Sequence, residues 1–145
     1  MTASLSRRIE NIKKLVDIYF KLEKGMLIER HLEQVRVFSI RSSVNKKHPH
    51  KNKHVYISRR ALKHFVESRK EELLKHHTQE QVVENIYFAI DFLQETVVQF
   101  EYYEYEPPRN HFYTKNYSHL QKPKVRVLVE ERGDFLEIIS IHFRK

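Results

Sequence analysis

The spacing of the apolar residues changes near residue 96, and this change constrains the fold more than any other feature of the chain. Before it, apolar side chains recur at helical spacing over residues 58–76 and 78–93, which begin with the N-cap candidate Ser58 and a Thr78–Gln81 capping box. After it, four segments are rich in β-branched and aromatic residues, which indicates strands. These segments are 96–105, 111–117, 124–130 and 135–143.

A short strand at 54–57 precedes the first of these helices, so the order from there onward is β-α-α-β-β-β-β. The turn sequences EPPRN and RGD leave only short connections between later strands, which favours an antiparallel meander. We therefore predict an α+β fold in which two helices pack on a four- to five-stranded antiparallel sheet. The helices cover one face of that sheet, and the other face is left as a surface or a cleft.

The N-terminal part of the chain is expected to add to this unit. Residues 5–24 have an amphipathic pattern typical of a helix that stops at Gly25, and residues 34–41 have the composition of a strand. Residues 42–53 lack periodicity and are predicted to be a loop or hairpin tip. We expect residues 1–53 to supply this helix, strand and basic loop, and residues 54–145 to form the α+β domain, all in one compact unit.

Several classes of protein are excluded or disfavoured by what the sequence lacks. It has no cysteine, which excludes disulfide scaffolds, thiolate zinc sites and cysteine nucleophiles. No apolar run approaches the roughly 18 residues of a membrane span, and charges interrupt any signal-peptide core near the N-terminus. We expect a cytoplasmic protein, with signal-less export as an effector as the alternative. Gly-rich phosphate loops and the G-x-S-x-G and H-E-x-x-H motifs are also missing, and we predict neither a cofactor nor a metal.

A basic window lies between Glu33 and Glu67, where the sequence has nine Lys or Arg, four His and no acidic residue. The formal net charge of the chain is +8, and such a block favours a polyanionic partner, most simply RNA. A solvated loop is the ordinary alternative. The His48-Pro-His50 pair has no nearby carboxylate, so we expect it to supplement a phosphate-binding patch rather than bind a metal. The predicted nucleic-acid-binding residues are Arg41, Lys46, Lys47, Lys51, Lys53, Arg59, Arg60 and Lys63.

The segments HVYISRRALKHF, NHFYTKNY and KVRVLVEERGDFLEIISIHF, in this order of elements, give the chain from about residue 54 to 145 a resemblance to a known superfamily. It resembles the BECR superfamily of barnase, EndoU, tRNase colicins and RelE-type toxins, which includes phage-associated members. The resemblance implies a metal-independent ribonuclease whose site lies on the exposed sheet face. The chain departs from that pattern at Glu101, Glu104 and Glu106, which would repel RNA if they lined the cleft. Carried over residue by residue, the implied site residues are His64, His111, Tyr113, Lys115, Arg126, Ser140 and His142.

Strand alternation brings several of these residues to common faces. His111, Tyr113 and Lys115 share one face of their strand, and Arg126 lies opposite the valines of its own strand. The same alternation predicts that Leu136, Ile138, Ser140 and His142 share a face of the last strand.

Metal-free RNA cleavage needs a base, an acid and cations at the phosphate. Two histidines suit the first two roles, Arg126 or Lys115 the third, and Tyr113 would stack a base or donate a proton. For each of these residues a solvated strand or helix position remains the ordinary alternative.

Three functional hypotheses follow. The first is a metal-independent endoribonuclease or toxin acting on tRNA or mRNA, with an antitoxin or immunity protein as its partner. The second is a nucleic-acid-binding protein without chemistry, which uses the 34–66 window. The third is an interaction or inhibitor protein that uses the Tyr- and Glu-rich strand near residues 101–106.

Overall fold

The computed structural model describes residues 2–41, 45, 47–113 and 124–144, in which four helices and six strands are found. The helices are α1 (Thr2–Lys21), α2 (Arg59–Leu73), α3 (Gln79–Asp91) and α4 (Leu93–Val98). The strands are β1 (Gln34–Ser39), β2 (His54–Ser58), β3 (Tyr102–Glu106), β4 (Arg109–Tyr113), β5 (Lys124–Arg132) and β6 (Phe135–Arg144).

Both predicted helix starts are present. The Ser58 side chain accepts a hydrogen bond from the Ala61 N–H at the start of α2, and Thr78 and Gln81 form the reciprocal capping box of α3. Each cap satisfies an otherwise orphaned backbone N–H and is worth about 1 kcal/mol. Local signals of this kind therefore place both helices on the sequence.

The segment after α3 differs from the prediction. A strand was expected from residue 96, but α4 occupies Leu93–Val98 and β3 begins only at Tyr102. Leu93, Thr96, Val97 and Val98 are all buried in this short helix. A short apolar run with β-branched residues suits a buried helix as well as a strand, and periodicity alone does not separate the two.

The sheet has six strands in the order β1-β2-β6-β5-β4-β3. The α+β class is confirmed, but the expected four- to five-stranded antiparallel sheet is corrected to a six-stranded mixed one. The strand pair β2–β6 is parallel, with His54 opposite Phe135 and Ile57 opposite Ile138. The remaining pairs are antiparallel. Strand β2 of the β1–β2 hairpin pairs with β6. Along the chain, three helices and the strands β3 and β4 lie between β2 and β5.

The core lies between the helices and one face of the sheet. The valines of β5 belong to this face, as the alternation predicted, and Ile12, Val16, Leu62 and Ile86 pack there from the helices. The opposite face, called the outer face below, carries mostly half-buried or exposed side chains.

A bulge in β6 changes which residues reach the outer face. Leu128 of β5 lies opposite Ser140, but the next residue, Val129, lies opposite Ile138, so Ile139 is an extra residue. As a result Leu136 and Ile138 face the core, while Ser140 and His142 lie on the outer face. The prediction that all four share one face was wrong, because strict alternation has no place for a bulge.

The basic hairpin folds back on the core side. His48 is 2% exposed, its Nε2 lies 2.7 Å from the Val97 carbonyl oxygen, and its ring stacks on Phe112. His50 is also buried and hydrogen-bonds Asn110 through Nε2 at 2.8 Å. These two histidines fix the hairpin to α4 and β4, so the expectation that they supplement a phosphate-binding patch was wrong.

Among the described residues no helix combines the length and the apolar character that crossing a membrane requires.

Candidate anion site on the outer face

Three predicted site residues form a row across three adjacent strands. In the sheet register Tyr113 lies opposite Arg126, and Arg126 lies opposite His142. Residues directly opposite each other have side chains on the same face, and neighbouring strands are about 5 Å apart. The row therefore puts a phenol, a guanidinium and an imidazole within about 10 Å on the outer face.

His142 is half-buried, and its Nε2 shares a hydrogen bond of 2.8 Å with the Ser140 hydroxyl. Burial lowers the pKa of His142 below its usual value, and the positive charges of Arg126 and Arg69 lower it further. The carboxylate of Glu72 acts in the opposite direction. Burial and the arginines thus favour the neutral ring, which is the state required of a proton acceptor.

Arg126 and Tyr113 lie side by side in this row. The Tyr113 hydroxyl donates to Oε1 of Glu104 at 2.8 Å. Burial and Glu104 raise the pKa of Tyr113, although Arg126 opposes them. The buried Nε of Arg126 has no hydrogen-bond partner within the described ranges. Because this nitrogen is also closed to solvent, it is not itself a contact point for a ligand.

Helix α2 brings His64 to the same place. Strand β2 pairs with residues 135–138 of β6, and α2 starts at the next residue after β2, so it runs beside the second half of β6. Arg69 donates from Nη1 to the Ile141 carbonyl at 3.5 Å, which fixes α2 to this strand. His64, Ser140 and His142 then line one small cavity of about 20 Å³. Two histidines from distant parts of the sequence thus meet at one point.

The other predicted catalytic residues do not join this group. His111 lies one row away, opposite Leu128, and its Nε2 is 3.2 Å from Oε1 of Glu106. Its side chain is largely buried, and neither ring nitrogen has a hydrogen bond within the described part of the chain. Lys115 lies outside the described residues.

The outer face carries a gradient of charge. Near β3 and β4 it holds three carboxylates, and Arg109 there lies 3.8 Å from one of them, Glu130. At the other end the positive charges of Arg126, Arg69 and His64 act on His142, and Glu72, which lies 3.3 Å from Arg69, opposes them. Glu137 lies on β6 beside β2 and pairs with Arg132. The end beside α2 is therefore the one that attracts an anion. The three carboxylates are Glu104, Glu106 and Glu130.

The basic window is more neutral in space than in sequence. Lys63 is buried with its Nζ 3.1 Å from Glu67, and Arg59 donates through Nε and Nη2 to Oε1 of Glu33 at 3.2 and 3.0 Å. Lys53 donates to the carbonyl oxygen of Gly133 at 3.3 Å. Glu33 and Glu67, which lie at the two ends of the window in sequence, thus pair with cations inside it. Arg41, Lys47, Lys51 and Arg60 remain exposed, and Lys46 lies outside the described residues.

The sequence reasoning missed Arg69, which is buried beside His142. A signal for it was present, because Leu62, Val66 and Arg69 follow one another at helical spacing on the apolar face of α2. Charged residues are rarely buried unless they are paired, and Arg69 lies 3.3 Å from Glu72.

No cluster of His, Asp or Glu able to hold a metal ion occurs among the residues that the structure describes. Comparisons of the chain with protein-family models, with curated proteins and with solved structures found no match.

Proposed function

We propose that the outer face binds RNA beside α2 and cleaves it without a metal ion. The observation that carries this proposal is the row of Tyr113, Arg126 and His142, in which an imidazole whose pKa is lowered lies next to an arginine on the outer face. A phosphodiester is the anion that uses both groups at once. Arg126 holds the non-bridging oxygens, as arginine does best, and the imidazole reaches the neighbouring hydroxyl.

In this reaction His142 removes the proton of the ribose 2′-hydroxyl, and the 2′-oxygen attacks the adjacent phosphorus. The bond from phosphorus to the 5′-oxygen breaks, and that oxygen takes a proton from His64, which lies across the small cavity from His142. The products are a 2′,3′-cyclic phosphate and a 5′-hydroxyl. Arg126 stabilises the charge that develops on the phosphoryl oxygens, and the buried Arg69 adds positive charge nearby.

The proposal is the activity that the predicted BECR resemblance implies. It does not depend on that resemblance. As a toxin, the protein would act in the cytoplasm and would be held in check by an antitoxin or immunity protein. Binding through the 34–66 window alone is less well supported, because several of its cations already have partners.

The test is incubation with total tRNA and with an unstructured RNA in EDTA. We expect discrete products from the wild type and a loss of at least about 100-fold in rate for Arg126→Ala. Arg109→Ala is the matched control, since Arg109 lies on the same face at the acidic end. Unchanged cleavage by a folded Arg126→Ala protein would overturn the proposal. A salt-sensitive complex without any cleavage would move the function to binding alone.

A further inference from the structure

Three recesses follow one another along α2, starting at the candidate site. The small cavity at His142 is succeeded by a recess of about 340 Å³ that reaches Arg60 and Ile139, and then by one of about 450 Å³ between α2 and the segment that follows α1. His64 lines all three, and Arg60 lines the second and the third. They therefore form one groove, called the α2 groove below.

The α2 groove presents positive charge to a ligand. Arg60 and His64 lie four residues apart on the exposed side of α2, so their side chains are neighbours. Arg60 makes no ion pair among the residues described here. Each carboxylate on the groove wall is already paired: Glu67 accepts from the Gly25 N–H at 2.7 Å and pairs with Lys63 at 3.1 Å.

The second wall carboxylate, Glu137, accepts from Gln34 at 2.6 Å and from Arg132 at 3.4 Å. Burial alone would raise the pKa of Glu67, but its partners lower it below the usual value. Both groups thus keep their charge compensated by neighbours, and the cations of α2 dominate the groove.

The far end of the α2 groove combines apolar and charged side chains. Met26 and Leu27 line the third recess together with Arg60 and Glu67, and they are 47% and 87% exposed. Its volume of about 450 Å³ falls in the range of small-molecule sites. A partly apolar recess beside a cationic rim suits a nucleobase with its phosphate.

The charge gradient on the outer face indicates which way an RNA strand would extend from Arg126. At the β3–β4 end the strand would meet Glu104, Glu106 and Glu130, whereas the α2 end offers Arg60 and His64. A polyanion held at Arg126 is repelled in the first direction and attracted in the second. The α2 groove is thus its favoured path.

We propose that the α2 groove is a second nucleotide-binding subsite, in which Arg60 and His64 contact the phosphate next to the cleaved one and the Met26–Leu27 recess holds a base. This inference rests on the proposed function for its ligand class. It adds that the protein recognises RNA over several nucleotides, in one direction from the cleaved bond.

The test compares binding of a dinucleotide and a hexanucleotide, both 2′-O-methylated to block cleavage, by fluorescence anisotropy in EDTA. We expect the hexanucleotide to bind the wild type about 10-fold more tightly or better. Leu27→Asn removes most of that advantage and leaves dinucleotide binding unchanged. Leu32→Asn is the matched control, because Leu32 is exposed in the same segment but lies outside the recess.

Arg60→Ala weakens hexanucleotide binding by about 5-fold or more, while Lys75→Ala, an equal change of charge just beyond α2, does not. Equal hexanucleotide affinity in the wild type, Leu27→Asn and Arg60→Ala proteins would overturn the subsite. Length-dependent binding that Leu27→Asn abolishes, in a protein that never cleaves RNA, would support the subsite and refute the proposed catalysis. The binding data test the subsite and the cleavage data test the catalysis, so one proposal can be refuted while the other stands.

Discussion

Two pairs of histidines show how the same side chain takes different roles in this molecule. His48 and His50 are buried in the hairpin, and both ring nitrogens of His48 are occupied: Nε2–H donates to the Val97 carbonyl, and Nδ1 accepts from the His50 N–H at 3.0 Å. His64 and His142 lie at the edge of the outer face, where the neighbour of His142 is a hydroxyl.

Burial lowers the pKa of both His48 and His142, so a depressed pKa does not separate the two roles. The two histidines differ in the hydrogen-bond partners of their ring nitrogens and in the charges around the ring. His48 is fixed by the backbone on both sides, whereas His142 lies beside two arginines on a surface. The first arrangement stabilises a hairpin, and the second suits proton transfer at an anion.

The largest expected effect tests the role of His142. His142→Gln should reduce RNA cleavage by about 100-fold to 10,000-fold, because a general base typically contributes that much. The measurement is the single-turnover rate on a defined RNA. His48→Gln is the control, since Gln keeps a donor towards Val97, and it should retain cleavage. If His48→Gln lost as much activity as His142→Gln, the comparison between the two pairs would fail.

The second prediction concerns stability and pH. The pKa of His48 is lowered in the folded protein, so the unfolded chain binds more protons between that pKa and about 6.5. Stability from neutral His48 is therefore complete above about pH 6.5 and is lost as the pH falls through the folded-state pKa. The free energy of unfolding should decrease by at most about 1.4 kcal/mol per pH unit for this group.

Urea unfolding at several pH values measures this dependence, and His48→Gln should make it shallower. His142 contributes with the same sign, so the His48→Gln protein should keep part of the slope. A slope identical to that of the wild type would show that the hairpin histidine does not sense pH.

The smallest expected effect concerns the charge beside His142. Arg126→Ala removes a cation that helps to lower the pKa of His142, so that pKa should rise towards its usual value. Titration of the imidazole by NMR measures the shift. Arg109→Ala should leave the value unchanged, because Arg109 pairs with Glu130 at the other end of the face. A fall in the pKa of His142 in Arg126→Ala would contradict the electrostatic account.

Much of the fold and part of the candidate site follow from local patterns. The caps at Ser58 and Thr78 and the spacing of apolar residues place α2 and α3. Alternation within β5 puts the valines in the core and Arg126 on the opposite face. These features depend on residues a few positions apart, so they can be deduced from the chain itself.

Other features depend on neighbours that are distant in sequence. The parallel β2–β6 pair, the bulge at Ile139 and the helix α4 arise from how elements pack, and no short pattern encodes them. The same holds for Lys63 and Arg59, whose charges are neutralised by Glu67 and Glu33.

The sequence by itself determined most of the element types, the α+β class and the residue kinds available for an anion site. Only the tertiary structure decided that His48 is a buried anchor and that His64 meets His142. The physical reason is that periodicity and capping are short-range, whereas burial and charge pairing depend on which surfaces the packed chain brings together.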